Sequence, residues 1–281
     1  MIRSIEPFVA EVIILDNKLK KHLTHFLPKK KTHPRPTLTP VRTNPPVSPP
    51  PANTIAPKAP PLPKSRRTDD MSAESELACF LDQFLYGQFP NSDTFGSIER
   101  VYNKEQQLSG IDVVFQAKDG RIFHIDEKAQ LYYLNKDIPT FAFEIDFLRN
   151  GVPTTGWLCN NALETDLYLL IWPFATHDTP KGIKAEHFTK ADCLLVQKSA
   201  VLHLLDSYGL SVERLLQDAK QFRRDGILKK IPIPGVSGIY YYASDPLQYK
   251  EAPINIVISK QHLMRIKQRR YIVTSEKVEV K

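Results

Sequence analysis

The spacing of apolar and polar positions changes character along the chain. Between residues 75 and 86, Leu77, Phe80, Leu81, Phe84 and Leu85 recur at helical intervals behind a front of acids. That spacing predicts an amphipathic helix, stopped by Gly87 and Pro90. Runs at 111–116, 121–128, 140–147, 166–172 and 192–197 predict strands. Two helical stretches follow, 199–208 and 211–224, parted by Gly209. "GIYYYASD" and "INIVIS" read as further strands, and "KQHLMRIKQRRYIV" as a terminal basic helix. This order of elements predicts an α/β fold with a mixed central sheet flanked by helices, followed by an α/β C-terminal part.

One predicted hairpin carries more charge than a half-buried strand pair needs. In "GIDVVFQAKDGRIFHIDEKAQ", residues 110–130, strand parity puts Ile111, Val113 and Phe115 on one face and Asp112, Val114 and Gln116 on the other. On the next strand His124, Asp126 and Lys128 share a face, and Glu127 points the opposite way. The turn Lys118-Asp119-Gly120, with glycine in the left-handed position, sets Asp112 across from Asp126. Facing carboxylates repel, so one protonates unless a cation intervenes. Lys128 supplies one such cation, and a divalent metal with a taste for hard oxygen ligands would supply another. The plainer account is a solvent-facing Asp–Lys pair worth about 0–1 kcal/mol.

Composition separates the first quarter from the rest. Residues 1–70 hold 13 Lys and Arg against 5 Asp and Glu, a net of +8, and residues 71–281 hold 25 against 26, a net of −1. The basic balance is therefore no argument for nucleic-acid binding by the folded part. Of 23 prolines, 13 fall within residues 28–64, which contain no glycine. Such a segment cannot pack a core and is expected to be extended and disordered. A natural start at Met71 is the accompanying expectation, with 1–70 a misassigned extension. Three widely spaced cysteines, Cys79, Cys159 and Cys193, give neither zinc spacing nor a disulfide framework, and read as buried free thiols. No apolar run reaches the length of a membrane helix, and a cytoplasmic location is expected.

Asp112, followed on the next strand by Asp126-Glu127-Lys128, resembles the motif of the PD-(D/E)XK nuclease superfamily. Ile111 stands where the family's name has proline. The resemblance spans roughly residues 74–147 and implies a restriction-endonuclease-like domain over 71–180, with 181–281 as an extension that binds substrate or forms a homodimer. It implies Mg²⁺-dependent phosphodiester hydrolysis of nucleic acid, DNA in the first place, with Mn²⁺ able to substitute. Asp112, Asp126 and the Glu127 backbone carbonyl would hold the metal, and Lys128 would assist attack by water. Glu76 on the first helix would add an acid, with Glu74 second, although acids in a first helical turn are also explained by the helix dipole. Gln130, two residues past Lys128, completes the set. Glu144 is a further acid within reach, and Arg100 and Gln107 are read as residues of a solvated loop or helix. Two readings of other classes stand beside this one. The first is an inactive nuclease-fold binding module, and the second an interaction protein recruited through its proline-rich arm.

Overall fold

The computed structural model describes residues 67–88 and 95–281, so the expectations for the proline-rich arm lie outside the described residues. In chain order the elements are α1 (Arg67–Phe84), β1 (Phe95–Arg100), α2 (Lys104–Leu108), β2 (Val113–Ala117), β3 (Ile122–Ala129), β4 (Thr140–Arg149), β5 (Val152–Thr155), β6 (Leu167–Ala175) and β7 (Phe188–Gln197). There follow α3 (Lys198–Asp206), α4 (Val212–Asp225), β8 (Lys229–Pro232), β9 (Ile239–Ala243), β10 (Ile254–Ser259), α5 (Lys260–Ile266), β11 (Lys267–Thr274) and β12 (Val278–Val280).

Seven strands form a mixed sheet in the order β1-β2-β3-β6-β7-β11-β12, in which β3 and β6 are the parallel pair. The other five form an antiparallel sheet, β5-β4-β10-β9-β8. The sequence of β6, LYLLIWPFA, explains why it sits mid-sheet. It is apolar on both parities and buried along almost its whole length, as a strand covered on both faces must be. On one face Leu169 and Ile171 join Val113, Phe115 and Ile125 under Leu77, Phe80 and Leu81 of α1 and Leu85 just past its end. On the other, Tyr168, Leu170 and Trp172 meet Phe141, Phe143 and Ile145 of β4 and Ile256 of β10. The rings interlock here, with Phe141 edge-on to Trp172 at 5.2 Å. The mixed sheet is therefore sandwiched between α1 and a second sheet, which α3, α4 and α5 help to cover.

Several expectations need correction. Residues beyond 180 are not an extension: β7 pairs with β6 along nine positions and β10 pairs with β4, so the C-terminal hundred residues supply strands to both sheets. The terminal basic helix is only α5. From Lys267 the chain becomes β11, because Tyr271 and Val273 alternate into the core beneath α1. Arg100, expected in a loop or helix, instead ends β1, which pairs with β2. The three cysteines are free, but Cys79 is exposed and only Cys159 and Cys193 are buried. Among the described residues no helix is long and apolar enough to cross a membrane.

Gly110 sets the approach to β2. Its φ is +77°, and a Cβ there would lie 2.5 Å from the Thr165 hydroxyl, which donates to the Gly110 carbonyl at 2.9 Å. Gly110→Ala is expected to cost about 2 kcal/mol, from backbone strain and the broken tether together. Urea unfolding checks this as a lowered midpoint at unchanged slope.

Candidate functional site

The β2–β3 hairpin positions the charged cluster. Gly120 adopts φ +84°, the Gly120 N–H donates to the Ala117 carbonyl at 2.9 Å, and the ladder runs from Gln116↔Ile122 to Val113↔Ile125. One step further, Asp112 lies across from Asp126. Here β2 ends as a ladder partner and the Asp112 side chain takes over, with Oδ2 accepting the Glu127 N–H at 2.8 Å. The N–H and C=O of a strand residue point toward the same neighbour. The Glu127 carbonyl is therefore aimed to the Asp112 side, whereas Gln130 donates to Ile171 on the β6 side.

Asp126 is 2 % exposed. Its Oδ1 accepts from the Lys128 ammonium at 2.5 Å, and its buried Oδ2 has no hydrogen-bond partner. Burial pushes the Asp126 carboxyl up to about 7; Lys128 opposes the shift and Asp112 adds to it. Burial also disfavours the Lys128 ammonium, but Asp126 and Asp112 outweigh it and hold its pKa above the ordinary lysine value. Lys128 further lies 5.3 Å from the Trp157 ring centroid. Glu144 of β4 feels that ammonium, yet burial pushes its carboxyl up to about 6. Asp112 and Lys128 also line a cavity of about 440 Å³ against α1, together with Glu74, Arg100 and Gln107.

The expected residues do not all gather. Asp112, Asp126 and Lys128 come together, with the Glu127 backbone. Glu76 does not: its carboxylate accepts from the Lys184 ammonium at 2.9 Å and the Ala185 N–H at 3.1 Å. Glu74 is the α1 acid that lines the cavity and acts on Lys128. Gln130 follows β3 and lines a different groove on the outer face of the second sheet, as does Glu144. His124 points its Nδ1 at the Glu164 carbonyl, 3.1 Å away. Two arginines of the C-terminal part are engaged in ion pairs: Arg223 with Asp146, and Arg270 with Asp192 at 2.8 Å. Gln107 donates to the Val101 carbonyl at 3.0 Å.

Three contributors escaped the sequence reading. Arg100 is a clamp, not a loop residue. It donates to both Glu127 oxygens at 2.8 and 3.1 Å and to Asp82 at 2.7 Å, and Tyr86 adds a 2.7 Å bond to Glu127. Lys198, the first residue of α3, is 9 % exposed and donates to the Asn160 carbonyl at 3.1 Å. Burial lowers its pKa, and Asp126 is the leading charge that opposes the shift.

Among the described residues no three His, Cys, Asp or Glu side chains converge on a common point. The donors offered to a cation are instead two carboxylates and a backbone carbonyl, a hard all-oxygen set suited to Mg²⁺ with retained waters. No family model, curated protein or solved structure matches the chain.

Proposed function

We propose that the chain is a Mg²⁺-dependent nuclease that hydrolyses phosphodiester bonds from the Asp112–Asp126–Lys128 cluster. The observation that carries this reading is the Asp126 carboxylate. It is nearly inaccessible, one oxygen is taken by Lys128, and the other is buried and unpaired beside a second carboxylate. A buried carboxylate oxygen left without a partner costs about 1–3 kcal/mol unless a proton or a second cation meets it. A divalent ion fits the position, held by Asp112, Asp126 and the Glu127 carbonyl. When bound it polarises a phosphoryl oxygen and makes water acidic enough to attack near neutral pH.

The chain's own residues supply the rest. Lys128 is fully charged at neutral pH and fixed on Asp126, so it can steady negative charge growing on a phosphate without reorganising. Asp112 holds its carboxylate in place through the Glu127 N–H. The meander β1-β2-β3, with β6 added parallel to β3 and α1 across one face, also suits the restriction-endonuclease-like sheet. The second sheet on the other face is a departure from helices on both sides.

The test uses labelled single-stranded and duplex DNA and RNA with the full chain, in Mg²⁺, in Mn²⁺ and in EDTA. Cleavage products with either metal and none in EDTA are expected. A second reading keeps the fold and makes Lys128 no more than the counter-ion of Asp126, which the 2.5 Å pair alone would satisfy. That reading predicts no metal-dependent cleavage and no metal-dependent thermal shift.

A further inference from the structure

The outer face of the second sheet carries a groove of about 690 Å³. Tyr240 and Tyr242 of β9 point into it, while Tyr241 between them is buried. Tyr133 joins them, 45 % exposed, and Tyr242 is 43 % exposed. Residues two apart on a strand are separated by roughly 7 Å, twice the 3.4 Å rise of stacked bases, so there is room for one base between neighbouring rings. Gln130, Glu144 and Asn255 lie among the tyrosines and offer amide and carboxylate groups to base edges.

One lysine stands at the edge of the groove, whose own lining carries the carboxylates of Glu144 and Glu251. Lys230 of β8 is exposed, stands opposite Tyr242 in the ladder, and holds its ammonium 4.3 Å from the Tyr240 ring centroid. The groove is distinct from the cavity that Asp112 and Lys128 line, and two of its residues connect it to the neighbourhood of Lys128. Gln130 follows Lys128 by two residues, and Glu144 is the carboxylate that feels the Lys128 charge. Rings that accept any base, hydrogen-bonding groups between them and a lysine at the edge form a stacking platform, which a duplex with its bases already stacked cannot use.

We propose that this face binds single-stranded nucleic acid. The inference rests on reading the Asp112–Asp126–Lys128 cluster as a phosphodiester-cleaving centre, and it names the substrate form that the reading leaves open.

Binding is measured in EDTA, so that cleavage plays no part, by fluorescence anisotropy of the full chain at about 0.15 M salt, where surface charges are largely screened. The probes are an oligothymidylate and an oligouridylate of about 20 nucleotides, longer than one stacking site requires, and a duplex of the same length. At least one single strand is expected to bind about tenfold more tightly than the duplex. Tyr240→Ala and Tyr242→Ala should each weaken that binding about tenfold, whereas Tyr242→Phe, which keeps the ring, should stay within about twofold of the parent. The basic arm is present in every variant, so its contribution cancels from these comparisons. Equal binding of strand and duplex, or a Tyr240→Ala/Tyr242→Ala double variant that binds as the parent does, would overturn the proposal. If single strands bind as expected but no metal yields cleavage, the platform stands and the nuclease reading alone fails.

Discussion

Replacing Asp126 with alanine is expected to lower metal-dependent cleavage by at least about 10³-fold, or ~4 kcal/mol of transition-state stabilisation. Circular dichroism should be unchanged, because the hairpin is fixed by its ladder and by Gly120, not by this side chain. Asp112→Ala and Lys128→Ala should be as damaging to cleavage, but they separate on metal binding. Loss of either carboxylate removes an oxygen donor and should abolish the Mg²⁺-induced rise in melting temperature. Loss of Lys128 removes a competing cation and should leave that rise intact. The dependence on pH follows from Asp126. Its folded pKa is raised to about 7, so between about pH 4 and 7 the folded chain keeps a proton that the unfolded chain has shed. Stability from this group is therefore intact below about pH 4 and is lost progressively as pH rises to about 7. A metal must displace that proton, so the Mg²⁺ thermal shift should be larger at pH 8 than at pH 6. Undiminished cleavage by Asp126→Ala would remove this cluster from the chemistry.

How much of this was legible in the sequence depends on the range of the forces involved. The hairpin was readable because its determinants are local: a glycine at φ +84° fixes the register, and strand parity then fixes which side chains share a face. Glu76 was misplaced because two residues on a helix turn the direction of a side chain by roughly 200°, so Glu74 and Glu76 cannot serve the same site. Arg100 was missed for a different reason. Its partners stand 18 and 27 residues away, and nothing in "GSIERVYN" announces them. β11 reads as a helix because "RIKQRRYIV" has no clean period, and its place in the sheet is set by β7, which brings Arg270 to Asp192 across 78 residues. The second sheet is likewise closed by β4 meeting β10, more than a hundred residues apart, so no local signal could have shown that residues 181–281 belong to the same body.

Arg100→Ala is expected to destabilise the fold by about 3–5 kcal/mol, the usual cost of breaking a buried ion pair from one side. At about 2–4 °C per kcal/mol for a domain of this size, the melting temperature should fall by roughly 10 °C. The Arg100 side chain is 12 % exposed and that of Glu127 10 %. Glu127 holds the guanidinium charged against a burial penalty that is the largest single influence on it. Truncation leaves Glu127 with only the Tyr86 hydroxyl and strips Asp82 of its partner, so α1 loses its polar tie to β3 beneath the cluster. The cost comes from an uncompensated carboxylate, and this sets two further expectations. Adding Glu127→Gln to Arg100→Ala should recover part of the loss, because a neutral amide can still accept from Tyr86. The deficit of the single variant should also shrink as pH falls toward 5, because the stranded carboxylate then takes up a proton that the unfolded chain binds less tightly. Thermal melts of the parent, both single variants and the double variant at pH 5 and 8 decide the matter. A deficit that is independent of pH and is not relieved by Glu127→Gln would mean that Arg100 acts through packing of its side chain, with no part for the charge it neutralises.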